Sequence, residues 1–402
     1  MIKKEDIIFA IINSLVTLVL FFSVQSLYLN GIEDYNVFYL GPWLKSIDEK
    51  SEIINTDNFV FIDTNFDNAL IENNDNGLIN GNIVIADRYK LKLLFEKLNS
   101  RSEYKYILCD VFFDRESNID SALSLVMSKA ERLIIPRKDT LEKTIKSFRD
   151  VKSGLVDLKI TDDKFYKFKL SNKNLKSLPL KMYEEIYSKK NNFNLPLYFT
   201  QEGIAFNDFV PYFKIKDKDI KRRGGHYFNL NKILSWNPKS FREITKDKII
   251  IIGNYQTDLH NTIHGKIAGS LILLNVFLSL EEGLNVLSYP LIIILFLIFM
   301  FFSVIIHQSR LELELMLSKI PLVGRLSRGS TYILVMTIFS IVIFFVFKNS
   351  INLLFVASWF ILQNKITKSD IYWKNVKVNL KRFWQGIKKM FGFTYHFFRS
   401  IK

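Results

Sequence analysis

Apolar residues are gathered towards the two ends of this chain, while the long middle alternates between short oily runs and polar stretches. Ile7 to Leu29 is almost wholly apolar, broken mainly by Asn13, Gln25 and a few hydroxyl side chains. Leu287 to Ile306 is more apolar still, with Pro290 near its start and no polar side chain from Leu291 to Phe302. Tyr332 to Phe347 and Ile351 to Leu362 follow, parted by Lys348-Asn349-Ser350. A helix needs about 20 mostly apolar residues to cross a bilayer, and the first two runs meet that length. The last pair reads either as two spans joined by a tight turn or as one span with a re-entrant or interfacial segment. Four spans are taken here. The predicted division is therefore a cytoplasmic end and anchor over 1–29, an outer domain over 30–286, membrane helices over 287–363 with a loop at 307–330, and a tail over 364–402.

Within the middle region the pattern predicts an α/β domain. Asn58 to Asp63 is a short apolar run ending in an acid, as expected of a buried strand. Asp87 to Leu98 carries Leu91, Leu94, Phe95 and Leu98 at helical spacing, with Asp87 placed as N-cap. Tyr106 to Asp110 is the next strand, Asp120 to Ser128 the next helix and Arg132 to Pro136 the strand after it. Strands alternating with helices predict a parallel sheet with crossover helices. Residues 150–240 differ: they are rich in Lys, Asn, Phe and Tyr, with alternating stretches such as Lys164 to Leu170, which predicts half-exposed antiparallel strands, with one helix over Leu180 to Lys189. Lys248 to Gly253 then resumes as a buried strand, and Ala268 to Glu282 forms an apolar helix leading into the second span. The fold class is a mixed, partly parallel α/β extracytoplasmic domain joined to α-helical transmembrane segments. No internal repeat is visible.

Charge settles the expected orientation. Lys3 and Lys4 precede the first span, Arg310, Lys319, Arg325 and Arg328 lie between the second and third, and ten basic residues against Asp370 fill the tail. Lys and Arg beside short loops mark the cytoplasmic face, and four crossings put all three segments there. The formal charge of +15 is concentrated in this tail, beside the membrane. It therefore points to anionic headgroups rather than nucleic acid. Aromatics from Tyr372 to Phe398 interleave with these charges, as in an interfacial amphipathic segment or a docking peptide. The first span has a longer apolar region than a signal peptide and no clear small-x-small cleavage site, so an uncleaved anchor is expected. Cys109 is the sole cysteine, which excludes an intrachain disulfide and a cysteine-based metal cluster. The outer domain must be held by its core, and roughly 250 residues suffice for one.

Candidate chemistry is sparse. Asp63 and Asp110 end two expected parallel strands, and Gly253 ends a third. Open α/β sheets bind ligands outside these carboxyl ends. Asp258, His260, Thr262 and His264 follow Gly253 in an expected loop and could line the same crevice. The competing reading is that such acids and hydroxyls cap turns. Asp258, His260 and His264 are also residue types that bind zinc or iron, but no metal, cofactor or catalytic residue is assigned. Arg222, Arg223, Gly224 and Gly225 lack phosphate-loop spacing, and no hydrolase-elbow, zinc-protease or kinase motif occurs.

The strand Lys248 to Gly253, the segment Asp258-Leu259-His260-Asn261-Thr262, then Gly265, Gly269 and the helix through Asn275 resemble the closing segment of the CHASE type-2 (CHASE2) sensor domain. Asp63, Arg88, Asp110, Phe113 and Asp120 are similar to its first half, and Tyr227-Phe228-Asn229 to its middle. The resemblance covers roughly residues 35–285 and implies an anchor, an extracytoplasmic sensor and a cluster of C-terminal spans. In that family the sensor precedes a cytoplasmic output domain. Here only about 40 residues follow the last span, so any signal must pass to a separate polypeptide. The expectation is a non-enzymatic, multi-pass protein of the inner (cytoplasmic) membrane of a bacterium. It would bind a ligand or envelope partner, contact membrane lipids and relay to a separate signalling or envelope protein, and a homo-oligomer is compatible with this. The alternative is a non-signalling structural or assembly scaffold of the envelope. A metal-dependent hydrolase is a third and weaker reading.

Overall fold

A computed structural model describes residues 3–26, 56–75, 78–101, 103–139, 144–145, 148, 150–156, 158–161, 164–172, 175–189, 196–221, 226–262, 264–308, 330–347, 351 and 353–367. The chain divides into a helical unit, Met1–Glu33 with Tyr289–Lys402, and an α/β unit, Asp34–Ser288. After helix α1 (Lys4–Ser26), the α/β unit begins with β1 (Phe59–Asp63), β2 (Asn68–Asp75), β3 (Leu78–Ala86), α2 (Arg88–Arg101), β4 (Tyr106–Cys109), α3 (Asp120–Met127) and β5 (Leu133–Asp139). It continues with β6 (Ser153–Leu155), β7 (Lys164–Lys169), α4 (Leu178–Tyr187), β8 (Gly203–Phe206), β9 (Tyr227–Asn229), α5 (Leu230–Leu234) and α6 (Pro238–Thr245). It closes with β10 (Ile249–Gly253), β11 (Leu259–Thr262), β12 (Gly265–Ala268), α7 (Gly269–Glu281) and β13 (Val286–Ser288). Helices α8 (Tyr289–Gln308), α9 (Ser330–Phe347) and α10 (Leu354–Thr367) complete the chain.

The main sheet runs β9–β1–β10–β4–β5 with every neighbour parallel; β6 continues it in parallel, and Thr144–Ile145 pairs antiparallel to β5. Its central strands β1, β10 and β4 are buried at every position and apolar but for Asp63, because helices or a second layer cover both faces. Alternate residues go opposite ways. Phe59, Phe61, Tyr106, Leu108, Ile249 and Ile251 pack with α4 and α7. Val60, Ile62, Ile107, Cys109, Ile250 and Ile252 pack with Leu91, Leu94, Phe95 and Leu98 of α2 and with Leu123, Leu230 and Phe241. Asp87 caps α2 as expected, accepting from the backbone N–H of Tyr89 at 3.0 Å and Lys90 at 3.1 Å. Strand β10, late in sequence, inserts between β1 and β4, so Asp63 stands beside Gly253 and Ile252 beside Cys109. Three carboxyl ends from distant parts of the chain thus become neighbours.

Between 150 and 240 the expected antiparallel strands appear at β7 and β8, but β6 and β9 pair in parallel and join the main sheet instead. Strand β7 pairs with Leu158–Thr161 and Asp208–Phe209, and touches β11 in parallel at Phe165 and Thr262. Helix α7 is buried from Gly269 to Phe277 because it lies against both the main sheet and this layer. A helix apolar all round requires such cover. Its polar residues serve as fasteners: Asn275 accepts from Ile215 N at 2.9 Å and donates to Ile215 O at 2.8 Å, and Ser279 accepts from Tyr212 N at 2.9 Å.

Several expectations need correction. The segment from Asp258 to His264 is not a loop: β11 and β12 form a hairpin from Leu259↔Ala268 to Thr262↔Gly265, turned where Gly265 adopts φ +95°. Helix α7 does not lead directly into the second apolar helix. It ends in a Schellman motif, with Gly283 at φ +68°, Gly283 N bonded to Leu280 O and Leu284 N to Ser279 O. Strand β13 then pairs antiparallel with β8, so Leu287 belongs to a strand and the apolar helix starts at Tyr289. The β2–β3 hairpin and α6 were not expected. Asn76-Gly77 and Asn237-Pro238 are the sequence signals for them, and Asn237 does cap α6 by accepting from Ser240 N at 2.9 Å.

In the helical unit, Lys4–Val24 and Tyr289–His307 are long and apolar enough to cross a membrane. At 1.5 Å per residue each spans about 30 Å, the thickness of a hydrocarbon core. Thr331–Phe347 and Leu354–Ile366 are shorter apolar helices. Asn13 Nδ2 on α1 donates to Ser303 Oγ on α8 at 2.8 Å and to Gln363 Oε1 on α10 at 3.0 Å, and Gln363 donates back to Asn13. Asp6 and the His307 imidazole meet at 2.8 Å between α1 and α8. Residues 27–29, the basic residues from 310 to 328, Arg222 to Gly225 and the tail from 368 lie outside the described residues.

Candidate functional site

The two strand-end aspartates have different environments. Asp63 closes β1 and is 0% exposed. Its carboxylate accepts from Asn65 N at 3.0 Å, Tyr255 N at 3.3 Å, Gln256 Nε2 at 3.4 Å and the Tyr227 hydroxyl. Tyr227 is on β9, the neighbour of β1, and Tyr255 and Gln256 follow β10. This acid ties three strand ends together and is saturated in doing so. Nearby Asp67 is likewise engaged, by Lys90 at 2.7 Å and Asn231 N at 3.3 Å.

Asp110 follows β4, with its backbone N–H bonded to Ile252 O at 2.7 Å. It is 9% exposed. Among the described residues no hydrogen-bond donor reaches its carboxylate. Its neighbours are Asp258, just before β11, and His260 within it. A Cβ added to Gly269, the first residue of α7, would lie 2.7 Å from Asp258 Oδ2, 3.1 Å from Asp110 Oδ2 and 3.2 Å from His260 Nε2. Three titratable side chains therefore converge in one notch against the Gly269 backbone, a close approach that a side chain there would block. Asp258 and His260 are 44% and 34% exposed, so the notch is reachable from solvent.

Electrostatics follow from this crowding. Burial first, and then the Asp258 charge, push the Asp110 carboxyl up to about 7, against the downward pull of His260. The His260 imidazole is raised by its hydrogen bond with Asp258, whose Oδ1 lies 3.3 Å from Nε2, and burial opposes the rise. The cluster can thus take up or release protons near neutrality. Helix α7 has no side-chain cap at Ala268; instead Gly269 N donates to Asp258 O at 3.0 Å.

Thr262 and His264 do not join this cluster. The Thr262 hydroxyl closes the hairpin turn, donating to Gly265 O at 2.7 Å and accepting from His264 N at 3.0 Å. The His264 ring rests on Phe213, centroids 5.3 Å apart. Among the described residues no three His, Cys, Asp or Glu side chains are arranged to hold a metal ion. Of the six residues chosen from sequence, Asp110, Asp258 and His260 come together, while Asp63, Thr262 and His264 serve local structure. Tyr255 was missed. It is fully buried, with its hydroxyl donating to Ile251 O at 3.2 Å, and nothing in Asn254-Tyr255-Gln256-Thr257 signals that role.

These features define an α/β domain with an open acidic notch at the carboxyl ends of its parallel strands, carried on a chain with two membrane-length apolar helices. Set against family models, curated proteins and solved structures, the chain finds no match.

Proposed function

We propose that this chain is a multi-pass protein of a bacterial inner membrane whose CHASE2-like domain binds a ligand outside the cytoplasm and relays to a separate cytoplasmic partner. The observation carrying this reading is the placement of the α/β unit between two apolar helices, Lys4–Val24 and Tyr289–His307. Basic residues flank their far ends, which supports a cytoplasmic location for those ends. The polar links among Asn13, Ser303 and Gln363 suit helices packed in lipid, where such groups need partners. Binding outside the carboxyl ends of parallel strands fits the open Asp110 notch. No catalytic step is assigned.

Relay would pass along the chain from α7 through β13 to α8. A shift of α7 is then transmitted by a paired strand rather than by one continuous helix. That interruption also favours the second reading, an envelope scaffold without switching.

Single cysteines in a Cys109→Ala background test the topology. Ser128→Cys, on an exposed helix end, should react with a membrane-impermeant maleimide in intact cells. Ser369→Cys should react only after permeabilisation. The reverse result would overturn the reading. Affinity isolation in mild detergent, with and without residues 365–402, separates the two functions. A kinase, cyclase or response regulator lost with the tail supports relay. Envelope-assembly proteins retained without the tail make the chain a scaffold.

A further inference from the structure

We propose that the notch formed by Asp110, Asp258 and His260 over Gly269 recognises a primary ammonium group of a small ligand. This rests on the reading that the strand ends bind a ligand, and it adds the chemical class. The first observation is Asp110 itself: nine-tenths buried, turned towards the N-terminus of α7, with no donor among the described residues. A buried carboxylate left unpartnered is costly, and its cost is relieved by a charged donor. The second is convergence. Asp110 Oδ2, Asp258 Oδ2 and His260 Nε2 crowd one stretch of backbone, each within 3.2 Å of where a Cβ on residue 269 would lie, so the three groups are near neighbours.

The donor count and charge select the class. With Asp110 ionised, the notch presents two carboxylates, one of which, Asp258, already accepts from His260 Nε2. An ammonium brings three N–H donors that bond such acceptors at about 2.7–2.9 Å. A metal ion requires its ligands nearer, at about 2.0–2.6 Å, and no three of these side chains are arranged for one among the described residues. A hydroxyl would leave the charge of two neighbouring acids uncompensated. Asp258 and His260, both part-exposed, form the mouth through which the group enters from the solvent side. Protons compete for the same atoms, so occupancy should rise with pH through neutrality.

Cys109 supplies the readout, because it is fully buried, adjoins Asp110 and is the chain's sole thiol. A ligand bound to the folded state slows its labelling by a factor of about 1 + [L]/Kd. Full-length protein in detergent is treated with 1,4-diaminobutane, with 1,4-butanediol as the uncharged counterpart, or with Mn²⁺. The expected result is about tenfold slower labelling at pH 8 with the diamine at ten times Kd. The effect should fall away at pH 5.5 and vanish in Asp110→Asn and Asp258→Asn, while butanediol does nothing. No protection by the diamine at pH 8, or protection retained in both variants, overturns the proposal. Protection by Mn²⁺ alone overturns it in favour of a metal. Protection by butanediol, lost on Gly269→Ala, also overturns the ammonium class but leaves strand-end binding intact, whereas a cytoplasmic Ser128→Cys removes the broader reading.

Discussion

Replacing Asp110 by asparagine should stabilise the α/β unit, and increasingly so as pH rises. Burial and the neighbouring Asp258 hold this carboxyl near 7 in the folded protein, against about 4 in an unfolded chain. Below about pH 4 both states are protonated and the group contributes nothing. Between about 4 and 7 the unfolded chain releases the proton while the folded one keeps it, so stability falls with pH and levels off above 7. Three pH units at about 1.4 kcal/mol each give a cost of roughly 4 kcal/mol at pH 8, and roughly 1.5 kcal/mol at pH 5. Asparagine matches the shape and carries no charge to desolvate. The assay is pulse labelling of Cys109 by a methanethiosulfonate reagent, with refolding fast relative to labelling so that the rate reports the open population. The native thiol is buried and pushed up to about 12, so only opened molecules react. Comparing variant and parent at the same pH cancels the intrinsic reactivity of the thiol. Asp110→Asn should label roughly tenfold more slowly at pH 5 and several hundredfold more slowly at pH 8. Faster labelling at pH 8, or a ratio that does not grow with pH, would refute an unpartnered buried carboxylate at this position.

Two further outcomes test one contact in each unit. Gly253→Ala would set a Cβ 2.7 Å from Ser270 Cβ and 2.8 Å from its Oγ, so a loss of about 1–3 kcal/mol is expected from overpacking. Adding Ser270→Gly should recover most of that in chemical denaturation, and no recovery would place the strain elsewhere. In the helical unit, Asn13→Leu and Gln363→Leu each remove one side of a shared hydrogen-bonded pair. A double-mutant cycle on detergent-denaturation midpoints should show coupling of about 0.6–1.7 kcal/mol, and strict additivity would exclude the contact.

Much of the architecture was legible because burial leaves periodic marks. The runs ending at Asp63 and Gly253 are apolar without alternation because both faces of the sheet are covered. Lys164 to Lys169 alternates in sequence, as expected of a strand in an antiparallel layer. The β11–β12 hairpin was illegible for the converse reason: Leu259-His260-Asn261-Thr262 is mostly polar and half-exposed, so no apolar period marks it as a strand. Strand β13 hid inside an apolar run because its pairing with β8 is a contact between segments some 80 residues apart, outside any local window.

The sequence by itself determined which stretches must be buried, the two apolar helices of membrane length and the aspartates that end parallel strands. Nothing local distinguishes Asp63 from Asp110: both are acids following four-residue apolar runs. Strand order distinguishes them. With β9 laid beside β1, the Tyr227 hydroxyl reaches Asp63, and the turn after β10 adds the Tyr255 N–H and the Gln256 amide. Strand β4 has β10 and β5 as neighbours, and the Asp110 carboxylate meets Asp258 and His260 instead of a donor. One aspartate became a structural knot and the other an open, proton-sensitive site. Hydrogen-bond partners are assigned by which strands lie side by side, and that pairing is a long-range property of the folded chain.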